Sequence, residues 1–133
     1  MRIVLDTNVV VSGLLSALGP PGRVIESVFA GEVTPLYGDR ILAEYAAVLA
    51  GPRFRFDAGD VEWFMTAVRM GEGVLAPPLA VNLPDPSDLK FVEVAVAGGA
   101  DAIVAGNLRD FRLSQGKLAV AILSPRALMD RLR

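Results

Sequence analysis

Arg2-Ile3-Val4-Leu5-Asp6-Thr7-Asn8-Val9 is the stretch on which the reading of this chain turns. The run from Arg2 to Leu5 is short, β-branched and continuous, the pattern of a strand buried on both faces. It ends abruptly in a carboxylate, and two small polar residues follow. Ligands of open parallel sheets gather in the crevice beyond the carboxyl ends of the strands. Asp6 stands where such a crevice opens. A second role fits the same position, because Asp also caps the helix that follows a strand. Burying a charge is costly, however, so stability alone is a poor reason to place one there.

Working outward, strands alternate with helices. Asn8 to Ala17 reads as a short helix, and Gly19-Pro20-Pro21-Gly22 as a break. A helix from Arg23 to Ala30 carries Val24, Ile25, Val28 and Phe29 on one face, with Gly31 as its stop. Val33 to Tyr37 reads as a second strand, though Pro35 argues against a central position. Asp39 is placed to cap a helix from Arg40 to Leu49 with an apolar stripe through Ile41, Leu42, Tyr45, Val48 and Leu49, stopped by Gly51-Pro52. Asp57 or Asp60 caps a helix reaching Met70. One short strand is expected within Val74 to Asn82. Ser87 or Asp88 begins a helix to about Ala97, and Gly98-Gly99 ends it. Ala102 to Ala105 and Leu118 to Leu123 read as strands, and Pro125 to Leu132 as a closing helix. This alternation predicts an α/β fold with a mostly parallel sheet.

Composition narrows the function classes. The 133 residues fit one domain spanning 1–133, and a hydrophobic fraction of 53% is enough for a real core. The net charge of −2 argues against a large phosphate-gripping surface. The absence of histidine and cysteine excludes disulfides and thiolate zinc sites. Neither a signal peptide nor an apolar run approaching the ~20 residues of a membrane span is visible, which predicts a cytoplasmic protein without membrane partners.

With those groups missing, carboxylates are the main reactive side chains. They recur at junctions like that of Asp6, at Glu44, Asp85, Asp88 and Asp110. Each has an ordinary alternative. Glu44 can pair with Arg40 one helical turn away. Asp85 and Asp88 flank Pro86-Ser87 and suit a turn and a helix start. Asp110 can cap a turn. Asp101 precedes its strand and so belongs to the opposite edge of the sheet. Gathered in one crevice, the acids would repel and raise one another's pKa, and a divalent cation would remove that penalty. Oxygen-only ligands select Mg²⁺ or Mn²⁺, which hold a phosphate oxygen and lower the pKa of water. That is phosphodiester hydrolysis without histidine.

The same residues resemble the PIN domain, in particular the single-domain VapC-type toxin ribonucleases of toxin–antitoxin pairs. Ile3-Val4-Leu5-Asp6-Thr7-Asn8-Val9 looks like the first acidic motif of that family. Ile41-Leu42-Ala43-Glu44-Tyr45 resembles the second. Asp85-Pro86-Ser87-Asp88-Leu89-Lys90-Phe91 resembles the third, and Asn107-Leu108-Arg109-Asp110-Phe111 the fourth. The resemblance implies a three-layer α/β/α fold and an endoribonuclease that uses one or two Mg²⁺ or Mn²⁺ ions per site. By this analogy Asp6, Glu44 and Asp88 hold the metal. Asp110, with Asn107, completes a second ion site or orients water, and Thr7, Asn8 and Asp85 support the ligands. The partners implied are an RNA substrate, a small antitoxin and a second copy in a homodimer. The chain departs from many relatives at Ala105, where a hydroxyl is common, and at Asn107, where an Asp is common.

Arg53, Arg55, Arg109 and Arg112 are candidates to meet RNA phosphates, although each fits a solvated surface equally well. Trp63 and Phe64 share a helix with Met65 and Val68 and read as core or interface residues. Two other phosphoryl-transfer designs fit less well. A haloacid-dehalogenase phosphatase needs an acid where Asn8 stands, and a response-regulator receiver needs a lysine that neither Lys90 nor Lys117 supplies from the right element. A non-catalytic RNA- or protein-binding module with a degenerate metal site is the remaining alternative.

Overall fold

The computed structural model describes residues 1–113 and 118–133. Lys117, weighed above, lies outside the described residues. The elements run β1 (Arg2–Leu5), α1 (Thr7–Leu15), α2 (Pro20–Phe29), β2 (Thr34–Tyr37), α3 (Asp39–Ala50), α4 (Ala58–Arg69), β3 (Glu72–Gly73), α5 (Leu89–Gly98), β4 (Ala102–Val104), β5 (Ala121–Leu123) and α6 (Pro125–Arg131). Short 3₁₀ turns at Pro86–Asp88 and Leu108–Phe111 precede α5 and follow β4.

The strands form one five-stranded sheet in the order β3-β2-β1-β4-β5. Every pairing is parallel. The chain winds outward from β1 to β3 and then returns to the other side of β1 with β4. Right-handed crossovers turn that reversal into a change of face. α5, which makes the return, packs on β1, β2 and β4, whereas α4 packs on β2 and β3, and α6 on β5 and α2. The sheet is thus a buried middle layer. Ile3, Val4, Leu5, Ala102, Ile103 and Val104 are at most 1% exposed, as expected for strands covered on both faces.

Several boundaries differ from those the sequence predicts. α2 begins at Pro20 instead of Arg23, because Gly19 serves as its N-cap and both prolines occupy the first turn, where a missing N–H costs nothing. Gly38, not Asp39, is the N-cap of α3, and Asp39 lies in its first turn. The strand expected within 74–82 is instead Glu72–Gly73, and no regular element follows until the turn at Pro86. β5 begins at Ala121, not Leu118. Pro35 does occupy an inner strand. Thr34 N–H donates to Met1 O toward β1 at 2.8 Å, so Pro35, the next residue, directs its nitrogen toward β3. There the pairing starts only at Leu36, so no ladder bond is lost.

The edge of the sheet opposite the strand carboxyl ends is tied by Arg2. Its guanidinium pairs with Glu72 at 2.7 Å and donates to the carbonyls of Gly98 and Gly99, while its N–H donates to Asp101 Oδ2 at 2.8 Å. Asp101 belongs to that edge, as its position before β4 requires.

Candidate active site

The strand order reverses between β1 and β4, and at such a switch point the loops after the two strands diverge and leave a crevice. Asp6 follows β1, and the turn holding Asp110 follows β4. α3 and the turn at Pro86–Asp88 bring the other acids to the same place. The result is a cleft of about 340 Å³ lined by Asp6, Thr7, Asn8, Val11, Glu44, Val48, Arg53, Phe54, Asp85, Asp88 and Asp110. Two larger hollows, of about 490 and 600 Å³, are lined mainly by apolar side chains and hold no acidic cluster. Chemistry rather than size marks the site.

Asp6 is 4% exposed. It occupies the N-cap position of α1, yet its side chain makes no capping hydrogen bond, so capping does not account for it. Burial, and then the charges of Asp88, Asp110 and Glu44, push its pKa up to about 7, against a weak pull from the Thr7 N–H. Asp88 is raised to about 6, by burial first, then by Asp85, Asp110 and Glu44, with Lys90 opposing. These mutual effects place the acids of four separate chain segments within electrostatic reach of one another.

Glu44 is positioned from beneath. Tyr45, its neighbour on α3, is 1% exposed and donates its hydroxyl hydrogen to Leu5 O, locking α3 against the end of β1. Burial raises the Tyr45 pKa well above its ordinary value, and the charges of Asp6 and Glu44 add to that. Glu44 itself accepts hydrogen bonds from Thr7 Oγ1 on one oxygen and from Lys90 Nζ, at 2.8 Å, on the other. The pairing with Arg40 is not formed. Arg40 instead stands 3.7 Å from Glu93.

The remaining candidates divide. Asp85 is exposed and accepts from Ser87 N–H at 2.9 Å, a bond that lowers its pKa, so it does the turn chemistry its sequence suggests while bordering the cleft. Asn107 accepts from Arg109 N–H at 3.1 Å and lies outside the cleft lining. Ala105 is fully buried at the end of β4. Of the four arginines, Arg53 lines the cleft, Arg55 lines the 600 Å³ hollow between α3 and α4, and Arg109 and Arg112 are exposed elsewhere. Phe64 is core, but Trp63 is 73% exposed, its ring 5.9 Å from that of Phe29 and tilted to it by 55°.

Lys90 and Tyr45 are the residues that sequence reading misses. Both adjoin or nearly adjoin an acid, Glu44 or Asp88, and that adjacency was the available signal. Their roles depend on which way a side chain turns from α3 and α5, which spacing does not give.

The donor set is oxygen only and anionic, which suits a hard divalent cation. Among the described residues, no three acids converge closely enough to enclose one ion. In this conformation they share a cleft without closing around a single point.

Comparison with known proteins adds a family. A model of the PIN domain matches residues 2–109. That span includes Asp6, Glu44, Asp85 and Asp88 and stops one residue short of Asp110. The chain is also similar to the uncharacterized protein MJ1680 of Methanocaldococcus jannaschii, with 27% identity over 111 residues, covering 80% of this chain and 71% of that protein.

Proposed function

The chain belongs to the PIN domain family, whose members are typically nucleases, and on that premise we propose that it is an endoribonuclease dependent on Mg²⁺ or Mn²⁺. The observation that carries this reading is the cleft itself: Asp6, Glu44, Asp88 and Asp110 in one crevice, with two of them driven toward neutrality by burial and mutual repulsion. A bound divalent ion turns that repulsion into binding energy and supplies both Lewis-acid stabilisation of a phosphodiester and a more acidic water.

The residues then take distinct roles. Asp6, Glu44 and Asp88 hold the ion. Asp110 completes a second ion site or orients the attacking water. Thr7 fixes one Glu44 oxygen. Arg53, at the cleft margin, meets the RNA backbone. We further propose that the protein is the toxin of a toxin–antitoxin pair, acts in the cytoplasm as a homodimer, and is blocked by a small antitoxin that covers this cleft. No helix among the described residues is long and apolar enough to cross a membrane.

The test is cleavage of a panel of structured RNAs with Mg²⁺ or Mn²⁺, against chelator and against Asp6→Asn. Metal-dependent cuts abolished by both controls support the nuclease. A folded protein that neither cuts nor binds Mn²⁺ would sink the reading in favour of a non-catalytic module. Growth arrest on induction of the wild type, absent for Asp6→Asn, tests the toxin assignment.

A further inference from the structure

Arg53 lines the cleft itself, and a second cation, Lys90, reaches the acid cluster from an adjoining hollow that it lines with Arg40 and Glu93. Lys90, in the first turn of α5, is 15% exposed at its side chain. Its Nζ donates to Glu44 Oε1 at 2.8 Å and to the carbonyl of Ser87. The first bond reaches α3. The second reaches the turn that carries Asp85 and Asp88. One ammonium therefore joins two of the segments that deliver acids to the cleft, and it lowers the pKa of Asp88 against the upward pull of the other acids.

The two Glu44 oxygens are both engaged, one by Lys90 and one by Thr7. An oxygen facing an ammonium is a poor ligand for a second cation, because the two positive charges repel at close range. We infer that Lys90 is a positioning residue, a resident counter-cation that holds Glu44 and the Asp88 turn together and competes with the divalent ion for Glu44. This rests on the metal-dependent reading of the cleft. Lys90 keeps the acid cluster assembled when no ion is bound. It also weakens ion binding, because Glu44 must turn from it to serve as a ligand.

The competition sets opposite signs for two measurements on one variant. Lys90→Met keeps the length and apolar body of the side chain and removes the charge. Its metal-free melting temperature falls, since Glu44 loses its partner. Mn²⁺ then binds roughly tenfold more tightly, the direction expected when a positive charge leaves a half-buried cation site. Lys90→Arg keeps the charge and stays near wild type in Mn²⁺ affinity. The readouts are calorimetric Mn²⁺ titration and thermal unfolding with and without Mn²⁺, neither of which needs an RNA substrate. A lower metal-free melting temperature with unchanged or weaker Mn²⁺ affinity would mean that Lys90 is only structural and would overturn the proposal. Failure of the wild type to bind Mn²⁺ at all would remove the metal-dependent reading and the proposal with it, whereas wild-type binding that Lys90→Met leaves unchanged removes the proposal alone.

Discussion

At the scale of single residues, Asp6 has a consequence for stability that runs against the usual behaviour of acids. A carboxyl with a pKa of about 7 when folded and 3.8 when exposed binds its proton more tightly in the native state. Between those values the folded chain carries more protons, so stability falls as pH rises. Asp88, raised to about 6, acts in the same direction over a narrower window. The metal-free protein is therefore expected to lose stability from about pH 4 to pH 7, where most proteins gain it. Asp6→Asn removes the larger part of that slope and is expected to stabilise the metal-free protein by about 2 kcal/mol at pH 8, while abolishing metal-dependent cleavage. Urea unfolding in chelator across that range checks both signs. A wild-type curve that rises with pH would contradict the burial and repulsion assigned to Asp6.

At the scale of elements, two tight contacts decide what tolerates change. The link from α1 into α2 folds back tightly on Gly22, and a Cβ there would lie 2.5 Å from the carbonyl oxygens of Ser16 and Ala17. Backbone cannot yield as a side-chain tip can. Gly22→Ala is expected to cost about 2 kcal/mol or more, read as a lower denaturation midpoint. The irregular stretch after β3 is anchored by Glu93, which is 6% exposed on α5 and accepts from Leu79 N–H at 2.8 Å. Glu93→Ala strands that donor, at a cost of about 2 kcal/mol, and is expected to speed hydrogen exchange across residues 74–85. These contacts also show what the sequence conveys. Core strands such as Arg2–Leu5 are legible because burial on both faces demands a continuous apolar run. The start of α2 is not, since Pro20-Pro21 reads equally as a break or as a first turn. The short strand β3 is hidden because Glu72 and Gly73 are exposed and owe their pairing to β2, not to any pattern of their own.

At the scale of the whole molecule, the sheet order converts distant positions into one cleft. Asp6, Asp88 and Asp110 were readable as candidates because each lies at a junction, and Glu44, in the middle of α3, through its resemblance to an acidic motif; the reversal between β1 and β4 brings them to one cleft. Asn107 was readable only as a polar neighbour, and it proves to cap the 3₁₀ turn. Lys90 was invisible as a participant because its partner, Glu44, comes from another helix. The cation proposed for this cleft would link the stability of all these segments. Mn²⁺ at a hundred times its dissociation constant is expected to stabilise the wild type by about 2.7 kcal/mol and to leave Asp6→Asn and Glu44→Gln nearly unchanged, measured as shifts in thermal unfolding. The dispersal of the acids along the chain also makes the cleft a reporter of the sheet. Asp6 follows β1 and the turn holding Asp110 follows β4, so the acid cluster exists only while those two strands are paired. Anything that parts β1 from β4, a proteolytic nick or partial unfolding, scatters the carboxylates and erases the site before the rest of the fold is lost.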